Sequence, residues 1–394
     1  MDRLVIKNVR AVLYDSVTPP CDVLVSGNKI AEIGDNISAD NSEIIDADGG
    51  YLFPGFIDVH VHGGGGSDFM DGTPQAFETA VKAHLKRGTT TLAPTAMTAT
   101  KEELLGFINA YNIFSKTSAY ADLVCGLHLE GPYFSNSTGK SKGAQSGNLI
   151  RDINFQEVDE LLAAANGSII RWDAAPEIKN SEQFAKLLTS KGVLCAVAHS
   201  NATADETQKG YAAGFSHVTH FYNAVTAYMK RGQTVTAGVV EATYLDDNVT
   251  VELICDGKHC PKQCLQLAIK IKGADKVIGI TDAIRIACTD MQKGKLGSLK
   301  NGADVIVDDG VAKLPDLSSY AGSICTMDKA LQVLCREYDI GVINAARLLS
   351  YSPARLLGLQ DKIGEIKVGK NADLVIADSD FNVKTVIKNG KKVN

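Results

Sequence analysis

The sequence predicts an α/β fold: a (β/α)8 barrel of the TIM type, together with a small β-sandwich built from both chain termini. Three observations carry this. Between about residues 53 and 358, eight apolar, strand-like runs alternate with amphipathic helical stretches. Residues 1–34 and 364–394 instead alternate as short strands, alike in pattern and unlike the middle. Neither end has enough strands for a sheet that is stable alone. The economical arrangement is one composite domain (1–52 and 359–394) interrupted by a barrel (53–358).

At the N-terminus, LVIKNVRAVLY precedes DVLVSGNKIAEIG, whose Gly27-Asn28 pair predicts a hairpin turn. At the C-terminus, DLVIADSD precedes VKTVIKNGKKV, with Asn389-Gly390 as the turn. The eight barrel runs are FIDVHVH, TTLAPTAM, LVCGLHLEG, IIRWDAAPE, VLCAVAH, HVTHFYN, TVELICDG and KVIGITDA. Thr73-Pro74 opens the first helix, Phe77, Val81 and Leu85 form its apolar stripe, and Gly88 ends it. A later helix starts near Glu182, turns Phe184, Leu187 and Leu188 inward, and stops at Gly192. A doubly wound open sheet is the alternative. Against it, HGGGG after the first barrel strand lacks the GxGxxG spacing of a phosphate turn.

Composition narrows the function. A chain of 394 residues with 45% hydrophobic and 22% charged residues is ample for a large core. Net charge is −6, the pI about 5.8 and the mean hydropathy −0.02. Acidic and basic residues are interspersed, so no nucleic-acid surface is expected. No run approaches the ~18 apolar residues of a membrane helix. Charges at Asp2, Arg3, Lys7 and Arg10 interrupt any signal-peptide core. The nine scattered cysteines read as reduced thiols of a cytoplasmic protein. Cys255, His259, Cys260 and Cys264 cluster, but without a CxxC and with Cys260 and Cys264 in a helical pattern, which argues against a thiolate zinc site.

The histidines carry the chemistry. Of the eight, all but His84 lie in or just after a predicted strand, at the barrel face where strand ends converge. His60 and His62 are two apart, so both rings share one side of the strand with Asp58 and can reach one ion. Glu130 ends strand three, and a carboxylate buried there needs a cation. His128 shares its face and supports it or the substrate. His199 closes strand five, His220 strand six and Asp282 strand eight. Imidazoles and carboxylates without a thiolate indicate a catalytic rather than a closed structural metal site. His217 reads as structural, His84 as a packed or half-exposed helix residue, and Trp172 as packing. The glycines at 63–66 read as a loop rather than an anion nest. Asp173 and Glu177 are carboxylates without an assigned role.

With those motifs in place, the chain resembles the amidohydrolase superfamily. HLEGPY, AHSNA, THFYNA, DGKH and TDA, in that order, resemble its N-acetylglucosamine-6-phosphate deacetylase family over nearly the whole length. The resemblance implies that Glu130, His199 and His220 bind the principal divalent metal. Because His60 and His62 are present, it also implies a two-ion version with Glu130 as bridge. Zinc, iron(II), manganese and cobalt all suit these ligands. Asp282 would be the catalytic acid/base. Asn223, the backbone of Ala224 and Arg231 would contact a sugar phosphate, Arg231 across a homodimer interface. His259 and the Tyr320-Ala321-Gly322 loop would contact substrate. Where some relatives place a histidine after EGPY, this chain has Gly143-Ala144-Gln145, so Gln145 would offer the acetyl carbonyl a neutral hydrogen bond.

The expected reaction is hydrolysis of the acetamido group of N-acetylglucosamine 6-phosphate to the amine and acetate. The galactosamine epimer remains open, as does a cyclic-amidase or deaminase activity, although strand four lacks the lysine that many of those relatives carboxylate. A non-catalytic scaffold is a third reading, disfavoured because all the candidate ligands are retained.

Overall fold

The computed structural model of the protein describes residues 3–135 and 140–393. Eight strands form the barrel sheet: β1 (Phe56–Val61), β2 (Thr89–Ala96), β3 (Leu127–Glu130), β4 (Ile169–Ala174), β5 (Leu194–Val197), β6 (Phe215–Val218), β7 (Thr250–Ile254) and β8 (Val277–Ile280). Their spatial order follows their chain order from β1 to β8, with parallel pairing. The ends meet past the strand termini, where Asp282 N–H donates to the His60 carbonyl (3.0 Å) and His62 N–H to the Ala283 carbonyl (2.8 Å). All eight predicted strands are present, because each is a short apolar run that a parallel sheet buries on both faces.

Helices fill the returns: α1 (Pro74–Leu85), α2 (Lys101–Thr117), α3 (Phe155–Ala165), α4 (Ser181–Ser190), α5 (Ala204–Ala213), α6 (Val239–Leu245) and α7 (Lys262–Lys272). Thr73 caps α1 by accepting from Ala76 N–H at 3.2 Å, an arrangement worth about 1 kcal/mol. Phe77, Val81 and Leu85 are buried as their spacing predicts, and His84 is fully buried, not half-exposed. In α4, Phe184 and Leu188 are buried while Leu187 is only partly so.

The terminal segments form one sheet. The strand Arg3–Ala11 pairs antiparallel with Cys21–Ser26 and parallel with Glu43–Asp46; its last residues, Arg10 and Ala11, pair with Tyr51 and Leu52. Tyr51–Pro54 then pairs with Leu374–Ala377, which pairs with Val383–Lys388. One core joins Leu4, Ile6, Val23, Val25 and Leu52 to Leu374, Ile376 and Ile387. That is the small β domain built from both termini. Each turn falls where predicted, with Gly27 at φ 59°, and Asn389 and Gly390 at 51° and 76°. The chain divides into two compact units, one of residues 1–58, 83–91 and 326–394, the other of 59–82 and 92–325. Every predicted metal ligand lies in the second. No helix of the described residues is long and apolar enough to cross a membrane.

Candidate active site

Strand geometry sets the ligands. His60 lies in β1 and His62 just past it, and Glu130 is the last residue of β3. His199, His220 and Asp282 each sit two residues beyond β5, β6 and β8. All three adopt left-handed backbones, with φ 46°, 29° and 51°. Such conformations cost on the order of 1–3 kcal/mol each and cluster where side chains must be aimed.

Two groups result: His60, His62 and Asp282, and Glu130, His199 and His220, all buried. In the first, the His60 and His62 Nε2 atoms are 3.3 Å apart and Asp282 Oδ1 is 3.1 Å from His62 Nε2. In the second, Glu130 Oε1 lies 2.9 Å from His199 Nε2 and 3.1 Å from His220 Nε2. Glu130 Oε2 faces the first group, 3.4 Å from His62 Nε2. One carboxylate thus addresses both.

The donor chemistry fits a cation. Every Nδ1 in the set is against an acceptor: His60 at Glu252 (3.2 Å), His62 at the Thr95 carbonyl (3.2 Å), His199 at the Ser141 carbonyl (2.8 Å) and His220 at the Asn223 carbonyl (3.1 Å). A neutral imidazole donates from one nitrogen and accepts at the other. Each Nε2 therefore turns a lone pair inward, where the lone pairs face one another and carboxylate oxygens. Four ring nitrogens and two carboxylates converging in this way are a donor set suited to a divalent ion.

Beneath the ligands lies a charged layer that the sequence reading did not anticipate. Arg171 donates from Nε to Asp173 (2.9 Å), from Nη2 to Thr219 (2.7 Å), and pairs with Glu252. His128 Nε2 stands 2.9 Å from Asp173 and its Nδ1 3.1 Å from Thr95 Oγ1. Burial, and then Arg171, push His128 down to about 4, so its ring is neutral. Burial alone would raise the Asp173 carboxyl, but Arg171 and His128 outweigh it and hold it well below the usual range. His217 bonds Thr250 (2.6 Å), in keeping with its structural reading. His128 is thus a support and not a substrate contact. The missed residues had a signal: Arg171 and Glu252 are charges at inward positions of otherwise apolar strand runs.

A pocket opens onto the ligands, lined by His62, Glu130, His199, His220 and Asp282 and by Ala144, Gln145, Asn223, Ala224, His259, Tyr320 and Gly322. His60 is fully buried and does not line it. Of the Tyr320-Ala321-Gly322 loop, Tyr320 and Gly322 line it, while Ala321 is fully buried in a cluster that includes Ile284 and Leu296. Thr98 N–H donates to Gln145 Oε1 (3.1 Å), which fixes the amide and turns Nε2 toward His199 (3.3 Å). Asp256 Oδ2 holds His259 Nδ1 at 2.7 Å, and the His259 ring packs on Tyr320 at 4.8 Å. The strand Met229–Arg231 is described, but the Arg231 side chain lies outside the described residues.

Other expectations resolve by packing. Gly65 and Gly66 donate their N–H groups to the Ala287 and Arg285 carbonyls, so they form a turn and no anion nest. Trp172 is buried, donates to the Gly131 carbonyl (2.8 Å) and stacks on Tyr133. Glu177 accepts from Ser200 Oγ (2.7 Å) and the Asn201 N–H (2.6 Å), tying down the loop after His199. The thiol cluster at Cys255–Cys264 supplies no metal group among the described residues, and no disulfide joins the cysteines.

Such a barrel, with imidazoles and carboxylates at its strand ends, is the architecture of metal-dependent hydrolases. Residues 51–393 match the Amidohydrolase family, and the chain belongs to it. It is 32% identical over 392 residues to an N-acetylglucosamine-6-phosphate deacetylase from Lysinibacillus sphaericus, covering 98% of this chain and 97% of that one. It is 29% identical to an N-acetylgalactosamine-6-phosphate deacetylase from Escherichia coli O157:H7, over 87% of this chain and 88% of the other. Its fold matches the crystal structure of N-acetylglucosamine-6-phosphate deacetylase from Pasteurella multocida with a TM-score of 0.90, at 29% identity and 99% coverage of each chain.

Proposed function

We propose that this chain hydrolyses the acetamido group of N-acetylglucosamine 6-phosphate, releasing acetate and glucosamine 6-phosphate. One observation carries the reading: two imidazole–carboxylate groups sharing Glu130 face a pocket in a chain with full-length similarity to amino-sugar-phosphate deacetylases.

An amide is a poor electrophile and an amine a poor leaving group. Glu130, His199 and His220 would hold one divalent ion, and His60, His62 and Asp282 a second. Ions bound there acidify water and polarise the acyl oxygen. Asp282, at the pocket face, takes a proton from the attacking water and returns it to the departing nitrogen. Gln145 Nε2 donates to the acetyl oxygen as negative charge develops, and His259 Nε2 is available to the substrate. Asn223, the Ala224 N–H and the Tyr320–Gly322 loop position the sugar. Arg231, contributed by the second subunit of a homodimer, pairs with the phosphate. Zinc, iron(II), manganese and cobalt suit the donors equally. The barrel segment 53–358 is the catalytic domain of this reading, the segments 1–52 and 359–394 form a composite domain, and the compartment is cytoplasmic.

The galactosamine epimer is the second reading, favoured by the 29% identity to an enzyme of that name. Acetate release from both sugar phosphates, compared with turnover of cyclic imides, tests the assignment. Acetate from N-acetylglucosamine 6-phosphate at the higher kcat/KM is expected. Preferential release from the galacto epimer selects the second reading, and reaction of cyclic imides alone overturns both.

A further inference from the structure

We propose that Glu252, on β7, is a positioning residue for the second metal group: it fixes the proton on His60 Nδ1 so that His60 Nε2 presents its lone pair to an ion. The proposal rests on the two-ion reading above and goes beyond it, since Glu252 is no ligand.

Glu252 is fully buried and its two oxygens are shared among several donors. Oε2 is 3.2 Å from His60 Nδ1 and 3.1 Å from Arg171 Nη2, and Oε1 pairs with Arg171 Nη1. His217 Nε2 stands 3.3 Å from Oε1. The guanidinium is always charged and only donates, so it holds Glu252 as an acceptor on both oxygens. His60 Nδ1 must then be the donor, and Nε2 the lone pair that faces His62 Nε2 and Asp282. The other three imidazoles have their Nδ1 set by backbone carbonyls. His60 alone in the set depends on a side chain. Glu252 Oε2 also receives the His220 N–H at 3.4 Å, a weak contact, while the His220 ring is set independently by Asn223.

Glu252→Gln is the decisive substitution. An amide has one acceptor oxygen where Glu252 offers two, and the closer of the two Arg171 contacts, at Oε1 with His217 beside it, would hold that oxygen. The amide NH2 would then face His60 Nδ1, move the proton to Nε2 and close that nitrogen to metal. A purely structural role in the buried charge layer would weaken folding or both metal groups alike. It would not single out one ion.

The test is uptake of cobalt(II) or zinc by metal-stripped full-length protein, followed by calorimetry and by the cobalt visible spectrum. Wild type is expected to take two equivalents. In Glu252→Gln the first should bind within about threefold of wild type and the second about 10–100-fold more weakly, the usual effect of removing an outer partner of a metal-bound histidine. His60→Ala, losing the ligand itself, marks full loss of the second equivalent. If Glu252→Gln does not fold, Glu252→Asp keeps the charge for Arg171 but withdraws it from His60 by one methylene, and should weaken the same equivalent. A second equivalent at wild-type affinity in either folded variant overturns the proposal. Wild type taking a single equivalent overturns the two-ion reading instead, a separate and recognisable result.

Discussion

His199 and His220 hold their Nε2 atoms 3.2 Å apart while the Nδ1 of each rests against a backbone carbonyl. Two lone pairs at that distance repel unless a cation lies between them. Metal removal should therefore act on stability as well as on catalysis. An ion present at a thousandfold over its Kd stabilises the native state by about 4 kcal/mol. Chelation should lower the unfolding midpoint and abolish acetate release, and excess zinc or manganese should restore both. A midpoint and activity untouched by exhaustive chelation would rule out the metal reading.

Asp282 lies at the pocket face beside His62 and belongs to the first group. With a proton shuttle lost, Asp282→Asn should reduce kcat by about 10²–10⁴-fold. The ion of Glu130, His199 and His220 should remain, so metal analysis should still find at least one equivalent. Near wild-type turnover would remove Asp282 from the acid/base role.

Gln145 is oriented by a backbone N–H, which leaves its amide nitrogen directed at the ligands. Gln145→Ala should cost about 10–100-fold in kcat/KM, or about 1.4–2.8 kcal/mol of transition-state stabilisation. Most of this should appear in kcat, since the acyl oxygen becomes charged only as the reaction proceeds. A change confined to KM would reassign Gln145 to ground-state binding.

Arg171 is buried between Asp173 and Glu252, so replacing Asp173 takes away one of the two carboxylates that balance its charge. Asp173→Asn should destabilise the metal-stripped protein at pH 7 by about 3–5 kcal/mol in denaturant unfolding. The folded carboxyl is held below its unfolded value, so its contribution is complete above about pH 4 and declines as the pH falls further. The gap between wild type and variant should thus be constant from pH 7 to 5 and narrow below about 4. A gap that widens on acidification would show the opposite linkage.

Much of the site was legible before folding. His60, His62, Glu130, His199, His220 and Asp282 all stood at the ends of runs that read as parallel strands, and they form two adjoining groups sharing Glu130. Arg171 and Glu252 were passed over because apolar runs invite reading as uniform core. Their burial is tolerable only through mutual pairing, and pairing across strands β4 and β7 leaves no local trace.

The alternation of apolar runs with capped amphipathic stretches determines the α/β class and its eight units by itself, because period and length are local properties. Side-chain parity along each strand likewise determines which ligands share a face. Only the closed barrel decided that Glu130 divides its oxygens between two groups and that Glu252 partners His60 from 192 residues away. Only it set the left-handed turns that aim His199, His220 and Asp282. Those are distances of a few ångströms between residues remote in the chain, and they exist only once the sheet has closed.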